Sequence, residues 1–237
     1  MNVAIITAAG KGTRLKSNIS KQFLNLYGKP IVAHTLETFQ NSSRINQVYL
    51  VVSSDYYDFC KKEIVEKYEY NKVSKIILGG QTRQESVFNA LIQVPESANI
   101  VSIHDGVRPL VTAGEVDKIV NKLIRDNKKD KQVMGVIMAA PAYETIKKIK
   151  GNDLIEETVQ RDLVWHAQTP QTFFYKAILK AHKSALEQNF LGTDDAGLVE
   201  RNGYKVKIFR GRHENIKITT PTDLFLAELI MSKNKKR

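Results

Sequence analysis

The sequence contains one cysteine, Cys60, among its 237 residues. A single thiol excludes an intrachain disulfide framework and a cysteine-based zinc site, and the helical spacing around Cys60 predicts a half-buried structural role. No apolar run approaches the roughly 20 residues that cross a bilayer. The amino terminus shows neither a basic leader nor a cleavage site. These absences predict a cytoplasmic protein without a membrane partner.

Aromatic residues are also few, at 8% of the chain, although 36 Lys+Arg against 25 Asp+Glu give a net charge of +11. This charge predicts an anionic partner, and alone it fits small phosphates, nucleic acid or an acidic membrane surface. Four of the positive charges lie in the last five residues, KNKKR. Because the aromatics do not alternate with a basic stripe and no nucleic-acid motif is present, we expect no nucleic-acid partner.

Apolar segments of strand length alternate with segments of helical periodicity. The strand candidates are rich in Val and Ile, as strands buried on both faces are, and lie at residues 3–7, 47–53, 74–78, 99–104 and 133–139. Between them, KPIVAHTLETF, RQESVFNALIQV and GEVDKIVNKLI place apolar residues three and four apart. The alternation predicts an α/β fold, a Rossmann-like, doubly wound and mostly parallel sheet, in a single domain over residues 1–237.

The alternation breaks at ETIKKIKGNDLIEETV, residues 144–159. Two short alternating segments around Gly151-Asn152-Asp153 predict a β-hairpin. The hairpin is too polar for a sheet core, so residues 141–160 are predicted to project, either as a solvated hairpin or as an arm that grips a second subunit. Beyond it we expect a helix at about 174–188, a short helix from Asp194, a strand over YKVKIF and a last helix beginning at Pro221.

The first predicted strand runs into a glycine-containing loop, AAGKGTR. Glycine lets the backbone approach a phosphate closely, and the first βα turn of such a sheet is the favoured phosphate site. The loop lacks the P-loop pattern, and a dinucleotide-binding loop would need glycine at Leu15. This leaves two glycines with Arg14 and Lys21 nearby, a set that suits a triphosphate. An NAD- or FAD-dependent redox enzyme is the alternative; Asp55 is roughly placed to bind ribose, but the loop does not fit.

The pattern AAGKGTRL…SKQF resembles the signature of nucleotidyltransferases that make sugar or polyol nucleotides. Within them, the chain is similar to the 2-C-methyl-D-erythritol 4-phosphate cytidylyltransferases. The resemblance continues in order over nearly the whole chain, through GGQTRQESVFNAL, HDGVRP, ETIK, WHAQTPQTF, TDDAGLVE and ENIKITTPTDL. It implies transfer of CMP from CTP to methylerythritol phosphate with release of pyrophosphate. A ribitol 5-phosphate cytidylyltransferase is the alternative within the same superfamily.

The resemblance also implies the catalytic groups. Arg14, Lys21 and Lys217 would be cations that converge on the phosphates of CTP. The nucleophile would be a phosphate oxygen of the acceptor, which is largely ionised near neutral pH, so no general base is needed. Mg²⁺ would be the cofactor, held mainly by CTP phosphates without a dedicated protein ligand.

The resemblance implies two sets of binding residues. Those for the nucleotide are Ala8, Ala9, Gly10, Lys11, Gly79, Gly80, Ser86, Asp105 and Gly106. Those for the acceptor are Asp105, Arg108, Thr145, Arg161, Thr169, Thr193 and Lys217. In the family the arm reaches into the neighbouring subunit, so Thr145 and Arg161 would serve the partner's site in a homodimer.

Other polar residues of these motifs have ordinary structural explanations. His104 ends a buried strand, where an imidazole is more often structural than catalytic. Asp194 and Asp195 resemble a carboxylate pair for acid–base work, but their position favours a helix cap with first-turn acids. Asp105, at the end of the same strand as His104, is well placed to meet sugar hydroxyls or Mg²⁺.

The chain departs from the family pattern at three positions. Gly106 stands where alanine is common, which keeps the site small. Ser20 replaces the usual proline before Lys21, which predicts a less stiff loop in the free enzyme. Glu144 replaces aspartate before Thr145 and lengthens that side chain by one methylene. None of these changes removes a charge that the chemistry needs.

Overall fold

A computed structural model describes residues 1–10 and 20–235 of the chain. Eleven strands and seven α-helices lie in these ranges. The strands are β1 (Asn2–Ala8), β2 (Asn25–Leu26), β3 (Lys29–Pro30), β4 (Gln47–Val52), β5 (Val73–Leu78), β6 (Ile100–Asp105), β7 (Val133–Pro141), β8 (Lys147–Lys150), β9 (Leu154–Thr158), β10 (Trp165–Phe174) and β11 (Lys205–Arg210). The helices are α1 (Ile31–Gln40), α2 (Tyr57–Phe59), α3 (Arg83–Leu91), α4 (Ala113–Lys129), α5 (Tyr175–Glu187), α6 (Asp195–Arg201) and α7 (Pro221–Lys235).

The central sheet has seven strands in the order β11-β7-β10-β6-β1-β4-β5. Neighbouring strands pair in parallel except at β10, which is antiparallel to both β6 and β7. Apolar residues cover both faces: one core cluster packs α1 and α4 against the sheet, and the other packs α3 and α5 against the opposite face. The expected doubly wound, mostly parallel α/β fold is confirmed.

The parallel strands end at one edge of the sheet and thereby place the site. Residues Ala8 of β1, Val52 of β4 and Asp105 of β6 end neighbouring strands, with Thr7 of β1 opposite Asp105 in the register. The loop after β5 joins the same edge, where the Gly79 N–H donates to the Val52 carbonyl at 2.8 Å. Ligands of open α/β sheets bind beyond this carboxyl edge.

The structure adds one element that was not predicted and corrects one expectation about burial. Strand β10, which includes WHAQTPQTFF, was not predicted. Cys60 is fully buried rather than half-buried, because α2 continues into a π-helical segment, Cys60–Glu66, whose inner face packs into the core. Burial raises the pKa of the Cys60 thiol to about 12.

The hairpin is present where the sequence predicted it. Strands β8 and β9 form a separate two-stranded sheet, and every residue in them is exposed. Ile149 lies opposite Ile155 in the register, and both side chains are more than half exposed. At its base, the Tyr143 ring stacks on His213 with centroids 4.0 Å apart. The hairpin therefore presents apolar side chains that the rest of the described chain leaves uncovered.

Candidate active site

A cavity of about 900 Å³ opens at the carboxyl edge of the sheet, within the size range of small-molecule sites. It is lined by nine of the residues that the sequence analysis singled out: Ala8, Ala9, Gly10, Lys21, Gly79, Gly80, Ser86, Asp105 and Lys217. Lys11 and Arg14 lie outside the described residues. The structure thus brings together most of the expected nucleotide-binding residues and two of the three expected cations.

Two turns, residues 8–10 and residues 79 and 80, lie in close contact and form the apolar wall of the cavity. We call these five residues the glycine cradle. A Cβ on Gly79 would collide with the Ala9 Cβ and would lie 2.9 Å from the Ser86 hydroxyl oxygen. That hydroxyl accepts a hydrogen bond from the Gly80 N–H at 3.0 Å. Glycine is needed at position 79 because the Ala9 Cβ and the Ser86 hydroxyl already fill the space that a side chain would take.

We expect Gly79→Ala to weaken the binding of CTP, the nucleotide that the resemblance implies, about tenfold, because Ala9 would have to move and change the shape of the cavity wall. Isothermal titration with CTP measures this. Gly114→Ala, at the start of α4, is the matched control, since a Cβ there meets nothing within 4 Å. Equal affinities in both variants would contradict the role of the cradle.

A buried glutamine that the sequence analysis did not single out holds the opening loop. The Gln22 Nε2 donates to the carbonyl of Ala8 at 2.7 Å and to that of Gly10 at 3.2 Å. Gln22 follows Lys21 directly in the SKQF motif, so its place in that motif was the available signal. Its partners, 12 and 14 residues earlier, could not be read from the pattern.

The departure at Ser20 has a structural counterpart. The Ser20 backbone N–H donates to the Tyr56 hydroxyl at 3.1 Å, a bond that proline could not make because it lacks the N–H. Phe23 stacks on the same Tyr56 ring with centroids 4.4 Å apart. Thus a hydrogen bond and an aromatic contact anchor the segment on either side of Lys21.

Asp105 lies at the centre of a cation cluster. Its Oδ2 is 3.0 Å from Lys217 Nζ and 3.3 Å from Arg108 Nε, and its Oδ1 is 3.4 Å from Arg83 Nε. Burial opposes ionisation of this carboxyl, yet the Lys217 ammonium and the two guanidinium groups hold its pKa well below the usual range. The site therefore keeps a carboxylate surrounded by positive charge, which suits an anionic ligand.

Lys217 reaches the cavity because its loop is fixed by buried amides. The Asn215 Nδ2 donates to the Thr169 carbonyl at 2.9 Å, and the Gln168 Nε2 donates to the Arg212 carbonyl at 2.9 Å. The Ile218 N–H also donates to the carbonyl of Val107, two residues after the end of β6, at 2.9 Å. Strand β10 supplies Gln168 and Thr169, so the unpredicted strand positions a predicted cation.

The other expected acceptor residues occupy three kinds of position. Arg108 and Thr169 support Asp105: Arg108 pairs with its carboxylate, and the Thr169 hydroxyl accepts from its backbone N–H at 3.1 Å. Thr145 is exposed within residues 141–160, Arg161 is exposed directly after them, and Thr193 is exposed just before α6. None of these five lines the cavity.

Gly106 is likewise expected in the nucleotide site but does not line the cavity. Its N–H donates to the Thr7 carbonyl at 2.9 Å. A Cβ there would lie 3.0 Å from that carbonyl oxygen and 3.3 Å from the Ala8 Cβ. The alanine that is common in the family would therefore need a small shift of β1 in this chain.

His104 is fully buried and hydrogen-bonded at both ring nitrogens. Its Nε2 is 3.1 Å from the Arg108 carbonyl and its Nδ1 is 2.9 Å from the Thr169 hydroxyl. Burial lowers its pKa to about 4, so the ring is neutral at pH 7. This is the structural role that the sequence analysis favoured.

The lowered pKa predicts a pH dependence of stability. In the unfolded chain a histidine titrates near pH 6.5, so between about pH 6.5 and 4 the unfolded state binds the additional proton. The contribution of neutral His104 to the free energy of unfolding is thus full above this window and is lost as the pH falls through it. Urea unfolding at several pH values should show a slope in this window that His104→Gln reduces and His166→Gln, at an exposed position, does not. An equal effect of both variants would contradict this assignment.

Asp194 and Asp195 differ in their surroundings. The Asp194 carboxylate caps α6 by accepting from the Gly197 N–H at 3.0 Å, as expected. Asp195 is almost fully buried, 2.7 Å from Arg83 Nη2 and 3.1 Å from His182 Nε2. Asp195 is therefore an acid in the first turn of α6, as expected, and it also forms a buried ion pair with Arg83.

Arg83 itself was not predicted as a site residue, although it lines the cavity. One signal was available: it is the first residue of α3, where the helix dipole disfavours a cation. Such a position needs a compensating anion, and the sequence did not show that the anions would be Asp105 and Asp195.

A cationic cavity with a glycine cradle at the carboxyl edge of a doubly wound sheet defines an α/β protein of the nucleotide-binding class. The family model for 2-C-methyl-D-erythritol 4-phosphate cytidylyltransferase matches residues 2–233. The chain belongs to this family of nucleotidyltransferases.

Named relatives agree with the family model. The chain is 44% identical over 235 residues to a 2-C-methyl-D-erythritol 4-phosphate cytidylyltransferase of Clostridium acetobutylicum, covering 99% of each chain. It is 41% identical to one of Caldanaerobacter subterraneus, covering 98% of this chain and 100% of the relative. The crystal structure of 4-diphosphocytidyl-2C-methyl-D-erythritol synthase from Anaerococcus prevotii is similar with a TM-score of 0.84 and 32% identity, covering 98% of each chain.

Proposed function

We propose that this protein transfers CMP from CTP to 2-C-methyl-D-erythritol 4-phosphate and releases pyrophosphate. The observation that carries the proposal is the place of Lys217. It lies 3.0 Å from Asp105 in the same cavity as the glycine cradle and Lys21, as a charge clamp on a triphosphate requires. Membership of the family supports the choice of CTP and of methylerythritol phosphate.

The proposed reaction needs positioning and charge stabilisation more than proton transfer. A phosphate monoester of the acceptor is already an anion near neutral pH, and its oxygen attacks the α-phosphorus of CTP while the bond to pyrophosphate breaks. Lys21 and Lys217, with Arg14 from outside the described residues, would stabilise the charge on the transferred phosphoryl group. His104, neutral and bonded at both nitrogens, is not required as a base.

The proposed cofactor is Mg²⁺, which would bind together with CTP. The cavity offers the Asp105 carboxylate, which three cations already contact. Mg²⁺ is commonly held by substrate phosphates, water and one or two carboxylates, so this donor set fits an ion bound mainly through the nucleotide. When bound, the ion would neutralise charge on the phosphates.

The proposal treats residues 1–237 as one catalytic domain of a cytoplasmic homodimer, with residues 141–160 as the arm between subunits. Two observations support the arm: Thr145 and Arg161 lie away from their own cavity, and Ile149 and Ile155 present apolar surface. Thr145 and Arg161 would complete the acceptor pocket of the partner. In the part of the chain that the structure describes, no helix is both long and apolar enough to cross a membrane.

Pyrophosphate release tests the proposed function. The protein is incubated with CTP and Mg²⁺ and with either methylerythritol 4-phosphate or ribitol 5-phosphate. We expect release with the first acceptor and at least about a hundredfold less with the second, because a pocket built to hydrogen-bond one polyol discriminates against another. Preference for ribitol 5-phosphate would overturn the choice of acceptor, and no release with either would overturn the function.

A further inference from the structure

Arg83 joins three elements that meet at the cavity. Its Nη2 is 2.7 Å from Asp195 Oδ2 at the start of α6, and its Nε is 3.4 Å from Asp105 Oδ1 at the end of β6. Both carboxylates are more than nine-tenths buried, whereas Arg83 is about one-third exposed to the cavity. Two donors of one guanidinium thus serve two buried anions, which a lysine ammonium cannot do in the same geometry.

The two oxygens of Asp105 have different partners. Oδ1 faces Arg83, whereas Oδ2 is shared by Lys217 and Arg108. The contact to Lys217 competes with the phosphate that this ammonium is proposed to bind. When Lys217 leaves, the buried carboxylate needs other partners, since an uncompensated buried charge is strongly unfavourable.

We propose that Arg83 is a positioning residue that allows Lys217 to move from Asp105 to an incoming phosphate. Arg83 holds Oδ1 throughout and Arg108 remains on Oδ2, so Asp105 keeps two cations after Lys217 has left it. The inference rests on the proposed function, because it takes the triphosphate of CTP as the ligand that draws Lys217 away.

Asp195 fixes Arg83 for this role. The opposite oxygen of Asp195 is 3.1 Å from His182 Nε2 on α5, so the carboxylate is held from both sides. Burial opposes its ionisation, but Arg83 and His182 keep the pKa of Asp195 below its usual range. The Arg83 guanidinium is thereby held at the N-terminus of α3, between the glycine cradle and the cations around Asp105.

The variant Arg83→Lys separates this role from a general loss of packing. The donors of lysine lie on a single nitrogen, which cannot reach both carboxylates in the arrangement that Arg83 uses. Asp195, which is more buried and has the shorter contact, would retain the ammonium. Asp105 would then depend more on Lys217, and CTP would bind less tightly. Because the effect acts through Lys217, it should disappear when Lys217 is already absent.

Isothermal titration of the full chain with CTP and Mg²⁺ measures this double-mutant cycle. We expect Arg83→Lys to raise the Kd about tenfold in the wild-type background and less than about twofold in the Lys217→Met background. A similar increase in both backgrounds, or no increase in the first, would overturn the inference. Arg201→Lys, at the other end of α6, is the matched control and should leave the Kd unchanged.

A second variant covers the case in which Arg83→Lys does not fold. Asp195→Asn weakens the contact that fixes Arg83, so the Kd for CTP should rise several-fold in the wild-type background and less than about twofold in the Lys217→Met background. An equal increase in both backgrounds, or no increase in the first, would contradict the proposal. If the wild-type protein does not bind CTP, the proposed function itself fails.

Discussion

The Lys217→Met variant is expected to lose about a thousandfold in kcat, which corresponds to about 4 kcal/mol of transition-state stabilisation. Lys217 lies 3.0 Å from Asp105 at the cavity, and methionine keeps its length while removing the charge. Because charge on the phosphates increases as pyrophosphate leaves, the loss should fall more on kcat than on the KM for the acceptor.

Lys205→Met is the matched control for this result. Lys205, on the edge strand β11, pairs with Asp130 at 2.9 Å. The same substitution there removes an ion pair of similar length at a position that does not line the cavity. Steady-state kinetics of both variants should show a near-normal kcat for Lys205→Met. A Lys217→Met enzyme within about threefold of wild type would remove Lys217 from the proposed clamp.

The second large effect is expected at the arm. Ile155→Asp should convert the protein to monomers and lower kcat at least about a hundredfold. The carboxylate would be buried in an apolar interface, which is strongly unfavourable, and a monomer would lack the Thr145 and Arg161 of its partner. Light scattering after gel filtration gives the mass, and pyrophosphate release gives the rate.

A matched substitution distinguishes the arm from the rest of the surface. Ile92, at the end of α3, is 54% exposed and Ile155 is 55% exposed, so Ile92→Asp makes the same change at the same exposure outside the arm. It should leave both mass and rate unchanged. A dimeric and active Ile155→Asp protein would show that the arm does not join the subunits in the proposed way.

The sequence predicted the parallel part of the sheet because its strands are continuous apolar runs. Strand β10 was missed because its centre, Gln168 to Gln171, is polar and contains a proline. Those polar groups are buried only because distant residues satisfy them: Gln168 bonds to the Arg212 carbonyl, and the Gln171 Nε2 donates to Asp194 at 2.8 Å. A local pattern does not contain such partners.

In the candidate site, too, local motifs could be predicted from the sequence and contacts between distant residues could not. The first loop of the cradle could be predicted because a glycine turn after the first strand has a local signature. Gly79, Gly80 and Lys217 were predicted only because their motifs resemble the family pattern. Arg83 was missed although it lies in the GGQTRQESVFNAL motif, since its partner Asp195 is 112 residues further along the chain and only the fold brings the two together. The buried ion pairs around Asp105 arise from the convergence of β6, α3, α6 and the loop before α7, and only the fold makes that convergence visible.

The central claim is that a phosphate oxygen of the acceptor attacks the α-phosphorus of CTP. The most direct test uses methylerythritol 4-phosphate labelled with ¹⁸O in its phosphate group, with CTP, Mg²⁺ and the wild-type enzyme, followed by mass spectrometry of both products. All of the label should stay in the diphosphocytidyl-methylerythritol product, in the bridging and acceptor-side oxygens, and pyrophosphate should carry none. Label in pyrophosphate, or unlabelled CMP formed without the diphosphate product, would contradict it.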